Sequence, residues 1–267
     1  MRNKPYTLRL TQLAIIIGVL APLLPLVVWS FAHRWFFPDL LPSEWSWRAW
    51  QYIFAPSSRV GTALLYSGAT ALAVMVISLL IGIPAGRALA LHNFRGKTAV
   101  TFLILAPAIM PVIAVVMGIH VAFIRLGLAD SLPGLILSHL IPVTPYVVLI
   151  LASVFANYNL DYEGQARTLG ARPYQIILHV MLPAIKPGII VGGMFAFIIS
   201  WSQYLFNLLI GGGKILTMPV LLFTFASSGD NAMTAALSLV FIAPAVLFLI
   251  VTAGYLTGTA GALGRVR

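Results

Sequence analysis

The stretch LDYEGQARTLGARPYQIILHVMLPAIKPGI, residues 160–189, carries Asp161, Glu163, Arg167, Arg172, His179 and Lys186 in a chain that is 60% hydrophobic and only 8% charged. So many ionisable groups close together are too costly to place in hydrocarbon, while apolar runs of about 20 residues, the length that crosses a bilayer, lie on either side. The stretch therefore predicts a long loop outside the membrane between two spans. The remainder of the chain is read outward from it.

A length of 267 residues would allow one or two soluble domains. Composition overrules that default, because a mean hydropathy of +0.99 leaves too little polar surface to cover a water-soluble globule. A β-barrel would need segments of about ten residues alternating apolar and polar, and LAVMVISLLIGI at 72–83 does not alternate. The fold class is an all-α membrane protein. The formal charge of +10 could signal nucleic acid in a soluble protein, but basic residues retained at cytoplasmic loops explain it here and no nucleic-acid partner is expected. Zero cysteines exclude disulfides and thiolate chemistry.

Six transmembrane helices are expected. The first is Leu13 to Phe31, preceded by Arg2, Lys4 and Arg9. A signal peptide is the alternative reading, with Ser30 and Ala32 as a weak cleavage match, but the apolar run exceeds the usual h-region of about 7–15 residues. Residues 32–58, rich in Trp35, Trp45, Trp47, Trp50 and Tyr52, suit the headgroup layer. Further spans are expected at about Val60–Ala85, Thr98–Phe123 (containing Pro107 and Pro111), Leu132–Phe155, Gly188–Ile210 and Ala232–Leu256. The apolar core Ile215–Ala226 is too short to cross and reads as a re-entrant or surface segment. The domain layout is then 1–58, first helix and periplasmic interfacial segment; 59–257, transmembrane domain; and 258–267, cytoplasmic tail.

Loop charges orient the chain. With the N terminus in the cytoplasm, Arg2, Lys4, Arg9, Arg87, Arg95, Lys97, Arg167, Arg172, Lys186, Arg265 and Arg267 lie inside. Arg34, Arg48, Arg59, Arg125 and Lys214 lie outside, eleven against five, as the positive-inside rule requires. Both termini and the long loop are cytoplasmic on this reading, and the protein is multi-pass in its bilayer.

Within the loop, Asp161 to Leu169 are good helix formers apart from Gly164, Gly170 suits a left-handed terminator, and Pro173 suits a helix start. Two short helices meeting at a Gly turn are expected. Tyr174, Ile177, Leu178 and Met181 recur at helical spacing, giving a cytoplasmic segment an apolar face. That face packs either on this protein's own helix ends or in a groove on a soluble partner.

The string Glu163-Gly-Gln-Ala-Arg-Thr-Leu-Gly-Ala171, continued by Val180-Met-Leu-Pro183 and Lys186-Pro-Gly-Ile189, resembles the EAA loop of bacterial ABC importer permeases. These are the inner-membrane components of binding-protein-dependent transport systems, with the methionine-importer-like permease fold. The pattern is nearest to spermidine/putrescine, iron, thiamine and phosphonate type permeases, and the likeness runs from about Tyr66 to Leu256. It implies that the loop forms a coupling helix between spans 4 and 5, docking on a cytoplasmic ATPase dimer through Glu163, Ala166, Leu169, Gly170, Ala171, Arg172 and Pro173. It further implies a second permease subunit, a paralogue more than an identical copy, and a periplasmic solute-binding protein. The chain itself would hold no cofactor and catalyse no reaction, ATP and Mg being bound by the ATPase. One position departs from the pattern: counting back from Leu-Gly-Ala, the usual Glu-Ala-Ala falls on Gly164-Gln165-Ala166, and the carboxylate sits one residue earlier at Glu163.

In the fifth span, Ser200, Gln203, Tyr204 and Asn207 share one face at helical spacing, serving either interhelical hydrogen bonding or a substrate pathway. No Asp or Glu falls within the six expected spans, which disfavours a cationic solute over a neutral, zwitterionic or anionic one. Gly82/Gly86 and Gly188/Gly192 form G-x-x-x-G pairs suited to close helix packing. The five histidines lack metal-ligand spacing, and no nucleophile or phosphate-loop motif is present. An ion-coupled secondary transporter is the rival function, but it needs a coupling site that is not visible; an intramembrane enzyme would need paired acids or histidines inside the spans.

Overall fold

In a computed structural model, residues 11–263 are described except for 12, 13, 16, 19, 36 and 37, with side chains to Gly254. Two compact units result: residues 1–61 with 220–244, and residues 62–219 with 245–267. The expected first span lies partly outside the described residues, which show its end as α1 (Leu23–Ser30). The basic N-terminal residues and the tail arginines lie wholly outside them.

In the first unit α1 leads into a two-stranded antiparallel ribbon, β1 (Ala32–Arg34) and β2 (Glu44–Trp45), followed by α2 (Arg48–Phe54). Aromatic contacts gather these short pieces. Phe31 meets Trp47 edge-on at 4.9 Å and lies 5.9 Å from Trp50, while Trp29 and Trp35 are 4.6 Å apart. Arg48 Nη2 donates to both carboxylate oxygens of Asp230 at 2.8 Å. Asp230 Oδ1 also accepts from the Met233 amide, capping the last helix.

The second unit holds most of the membrane-crossing helices. α3 (Val60–Leu91) and α6 (Leu132–Ala156) are continuous and apolar over bilayer length. Pro84 inside α3 and Pro142 and Pro145 inside α6 do not stop either helix. The third expected span is not a single helix: α4 (Lys97–Ile109) and α5 (Val112–Arg125) bend by 100°. Pro111 is the cause, since its ring bars the preceding residue from helical geometry, and Met110 is extended at φ −74°, ψ 149°.

The segment beyond the long loop also differs from expectation. α7 (Asp161–Thr168) and α8 (Pro173–Ile176) flank the turn, but α8 passes through a π-helical turn at Ile177–Met181 directly into α9 (Leu182–Trp201). Residues 173–201 thus form one continuous helical run, in which the second short helix of the loop continues into the fifth expected span. Pro183 lacks an N–H and its ring would crowd the His179 carbonyl; the wider turn lies against this point. The span then breaks at 202–204 before α10 (Leu205–Gly211). α11 (Met218–Ser227), at ten residues, is too short to cross, and α12 (Asn231–Leu263) completes the order. Among the described residues four helices are long and apolar enough to span, five if α4 and α5 count together.

The core of the second unit is the junction of α3, α6 and α9, where Val74, Val143, Val147, Leu151 and Ala196 are fully buried. Lipid tails are as apolar as leucine, so close contact rather than escape from water holds these helices together. Glycines permit the approach. A Cβ on Gly86 would sit 2.8 Å from the Ala152 backbone nitrogen, and one on Gly188 would sit 2.6 Å from Val154 Cγ2.

Candidate functional site

The turn after α7 is specified residue by residue. Gly170 lies at φ +82°, in the left-handed region that a side chain disfavours. Its N–H donates to the Arg167 carbonyl at 3.0 Å, and the Ala171 N–H donates to the Ala166 carbonyl at 3.0 Å. Together these bonds form a Schellman motif that closes the helix and satisfies its last carbonyls. Arg172, extended ahead of Pro173, donates its backbone N–H to Gln175 Oε1 at 2.7 Å and so opens α8. The result is a short hairpin of helices closed by backbone and side-chain hydrogen bonds.

Its tip is apolar and open. Leu169 is 87% exposed, and Tyr162, Tyr174, Ile177 and Leu178 are also exposed. Gly170, Arg172 and Pro173 share the exposed rim, with Ala166 and Ala171 half-buried. Of the seven residues expected at this surface, Glu163 alone faces inward, at 4% exposure.

Glu163 turns toward the C-terminal end of α3. Its Oε2 accepts from Arg87 Nη2 at 2.8 Å, and Arg167, one helical turn on, approaches to 4.0 Å. Arg87 Nη1 also reaches Met181 Sδ at 2.7 Å in the π-helical turn. The Arg87 hydrogen bond holds the Glu163 carboxyl below its ordinary range, against the opposing effect of burial. The Tyr158 hydroxyl is buried beside it; burial, reinforced by the Glu163 charge, pushes this phenol up to about 12. Arg87 and Tyr158 were invisible as site residues in the sequence, where Arg87 counted only as a topological charge.

The polar stripe of the fifth span is divided by the break. Ser200 is buried at the end of α9, its hydroxyl 2.8 Å from Nδ1 of His139 on α6. Asn207, also buried, donates to the Gln203 carbonyl. Gln203 and Tyr204 lie in the unwound residues and are half-exposed. The four do not form one helix face as the spacing predicts. Unwound backbone inside a membrane is tolerated only where protein or a wet cavity surrounds it.

Residues 78–257 match the family described as binding-protein-dependent transport system inner membrane component. The molybdenum transport system permease protein ModB of Mycobacterium bovis is 32% identical over 218 residues, covering 76% of this chain and 81% of its own. The putrescine transport system permease protein PotI of Escherichia coli K12 is 28% identical, covering 82% and 79%. A bacterial ABC transporter involved in import of the acidic polysaccharide alginate shares the fold, with a TM-score of 0.73 and 18% identity over 96% of this chain and 98% of that one. The chain belongs to the family of ABC importer inner-membrane permeases. It is a multi-pass, non-enzymatic transport subunit of a binding-protein-dependent system.

Proposed function

We propose that this permease is one half of a translocation pathway driven by a cytoplasmic ATPase dimer, which docks on the tip formed by Ala166, Leu169, Gly170, Ala171, Arg172 and Pro173. The observation that carries the reading is Leu169: an 87% exposed leucine on a turn whose backbone N–H groups from Leu169 to Arg172 are all hydrogen-bonded. An apolar side chain held rigidly in water fits a preformed cleft on a soluble partner at little ordering cost. ATP and Mg belong to that partner. A second permease, paralogous or identical, supplies the other half of the pathway, and a periplasmic binding protein delivers the solute.

Six crossings with both termini inside accommodate four long helices, the bent α4–α5 pair and the apolar run 13–31. The bilayer is the bacterial inner membrane, and residues 32–58 lie at its periplasmic surface. Gln203 and Tyr204, at the break, line the pathway, with Ser200 and Asn207 supporting them from behind. All six acidic residues, Asp39, Glu44, Asp130, Asp161, Glu163 and Asp230, lie outside the long apolar helices and the α4–α5 pair. Without a fixed counter-charge the pathway suits a neutral, zwitterionic or anionic solute. Relatives named for molybdenum, putrescine and trehalose transport show that one architecture serves several solute classes.

Affinity purification of the tagged permease from native membranes tests the assembly. An ATPase subunit retained in stoichiometric amount supports the reading, and its consistent absence from a folded, monodisperse preparation overturns it.

A further inference from the structure

We infer that Arg87 and Glu163 are a pair of positioning residues that transmit movement of the docking turn to the membrane helix α3. The inference rests on the docking role proposed for that turn. The starting point is a gap. Between the end of α3 and the α7–α8 hairpin lies a cavity of about 510 Å³, lined among others by Ile83, Pro84, Ile176 and Met181. A second hollow of about 310 Å³, toward Leu91 and His92, lies against the same two charged side chains. The backbone of α7 packs on α8 and on the π-helical turn that follow it. Ile83, Ala90 and Leu91 of α3 pack on the cluster of Phe155, Met181 and Ile185, and the polar link from α3 is the Arg87 guanidinium, which meets Glu163 on α7 at 2.8 Å and Met181 in the π-helical turn at 2.7 Å.

The chemistry suits a linkage under load. A guanidinium–carboxylate hydrogen bond is short, directional and stronger than a neutral one, and it resists both separation and rotation. The acid is well shielded, since Glu163 is 4% exposed. Glu163 is therefore committed within the chain and is not available to a docked partner. Its position one residue ahead of the usual carboxylate advances it by about 100° around the helix, enough to turn an outward group inward. A displaced α7 must then draw Arg87, and with it α3, or break the pair.

The complete transporter, with its ATPase and binding protein in proteoliposomes, provides the test through uptake per ATP hydrolysed. Glu163→Gln and Arg87→Gln are expected to retain the ATPase and its basal hydrolysis while lowering uptake per ATP at least tenfold. The exchanged pair Arg87→Glu/Glu163→Arg is expected to recover to within about threefold of the original. Unchanged uptake per ATP in the single variants overturns the inference, as does an assembled exchange variant that hydrolyses ATP without transport. Loss of the ATPase from a folded Glu163→Gln complex would assign Glu163 to the partner surface, leaving the docking proposal standing and the linkage refuted. Should a single variant fail to insert, the exchanged pair decides alone, by the same two outcomes.

Discussion

The hydroxyl of Ser200, near the end of α9, lies 2.8 Å from Nδ1 of His139 on α6, and both side chains are buried. This bond ties two helices together two residues before the fifth span unwinds. Interhelical hydrogen bonds in membranes contribute about 0.6 kcal/mol, and up to about 1.7. His139→Leu is expected to lower the melting temperature in detergent by roughly 2–4 °C. Ser138→Ala serves as the control, because the Ser138 hydroxyl bonds only within its own helix, to the Leu135 carbonyl. Equal shifts in the two variants would show that the cross-helix bond adds nothing.

Gly82 and Gly86 face α6 on successive turns of α3, but they differ in what a side chain would strike. At Gly82 the obstacle is the end of the Val147 side chain, 2.7 Å away; at Gly86 it is the backbone nitrogen of Ala152, 2.8 Å away. A side chain can rotate aside, whereas backbone movement displaces a helix. Gly86→Ala is therefore expected to cost more, on the order of 1–3 kcal/mol as for overpacked cores. Thermal unfolding of the two variants compares them directly, and a larger loss for Gly82→Ala would contradict the packing described.

Gly170 has open space around its Cβ position, so substitution there strains the backbone without a clash. The left-handed conformation costs an ordinary residue roughly 1–2 kcal/mol and a β-branched one more. Gly170→Val is expected to insert normally yet lose most uptake relative to ATP hydrolysis, with Gly170→Asn intermediate. Full coupling in Gly170→Val would remove the turn from the mechanism.

The Glu163 carboxyl is held below its ordinary value of 4.5. The folded state thus binds this proton less readily than the unfolded chain, and the stabilisation is present above that pH and lost as pH falls through the folded value. Below about pH 4.5 the melting temperature of the native protein is expected to fall more steeply than that of Glu163→Gln. At the alkaline end the sign reverses: Tyr158, raised to about 12 from 10.0, keeps its proton in the fold, so its contribution is lost as pH rises from about 10 to about 12. Tyr158→Phe should lack that alkaline decline. Parallel curves for variant and native protein in either window would refute the corresponding assignment.

Much of this was legible in the chain. Length and apolarity placed α3 and α6, glycine chemistry placed the turn at Gly170, and the G-x-x-x-G spacing marked close approaches at Gly82, Gly86 and Gly188, while Gly192 has only ordinary contacts. Met110-Pro111 was also readable as a break, since the restriction before proline is local, but the surrounding apolar run masked it. The break at 202–204 was not readable, because Trp201-Ser-Gln-Tyr204 contains neither Gly nor Pro to signal it. The inward turn of Glu163 depends on Arg87, 76 residues earlier. Periodicity within one segment cannot register a partner that only the tertiary fold supplies.

The docking of the turn is tested most directly by a photocrosslinking amino acid at Leu169 in the assembled transporter. Irradiation is expected to join the permease to its ATPase subunit in high yield, with no such product from the same group at Leu65, exposed on α3. An intact, ATP-hydrolysing complex that forms no adduct from position 169 would contradict the proposed docking of the ATPase on this turn.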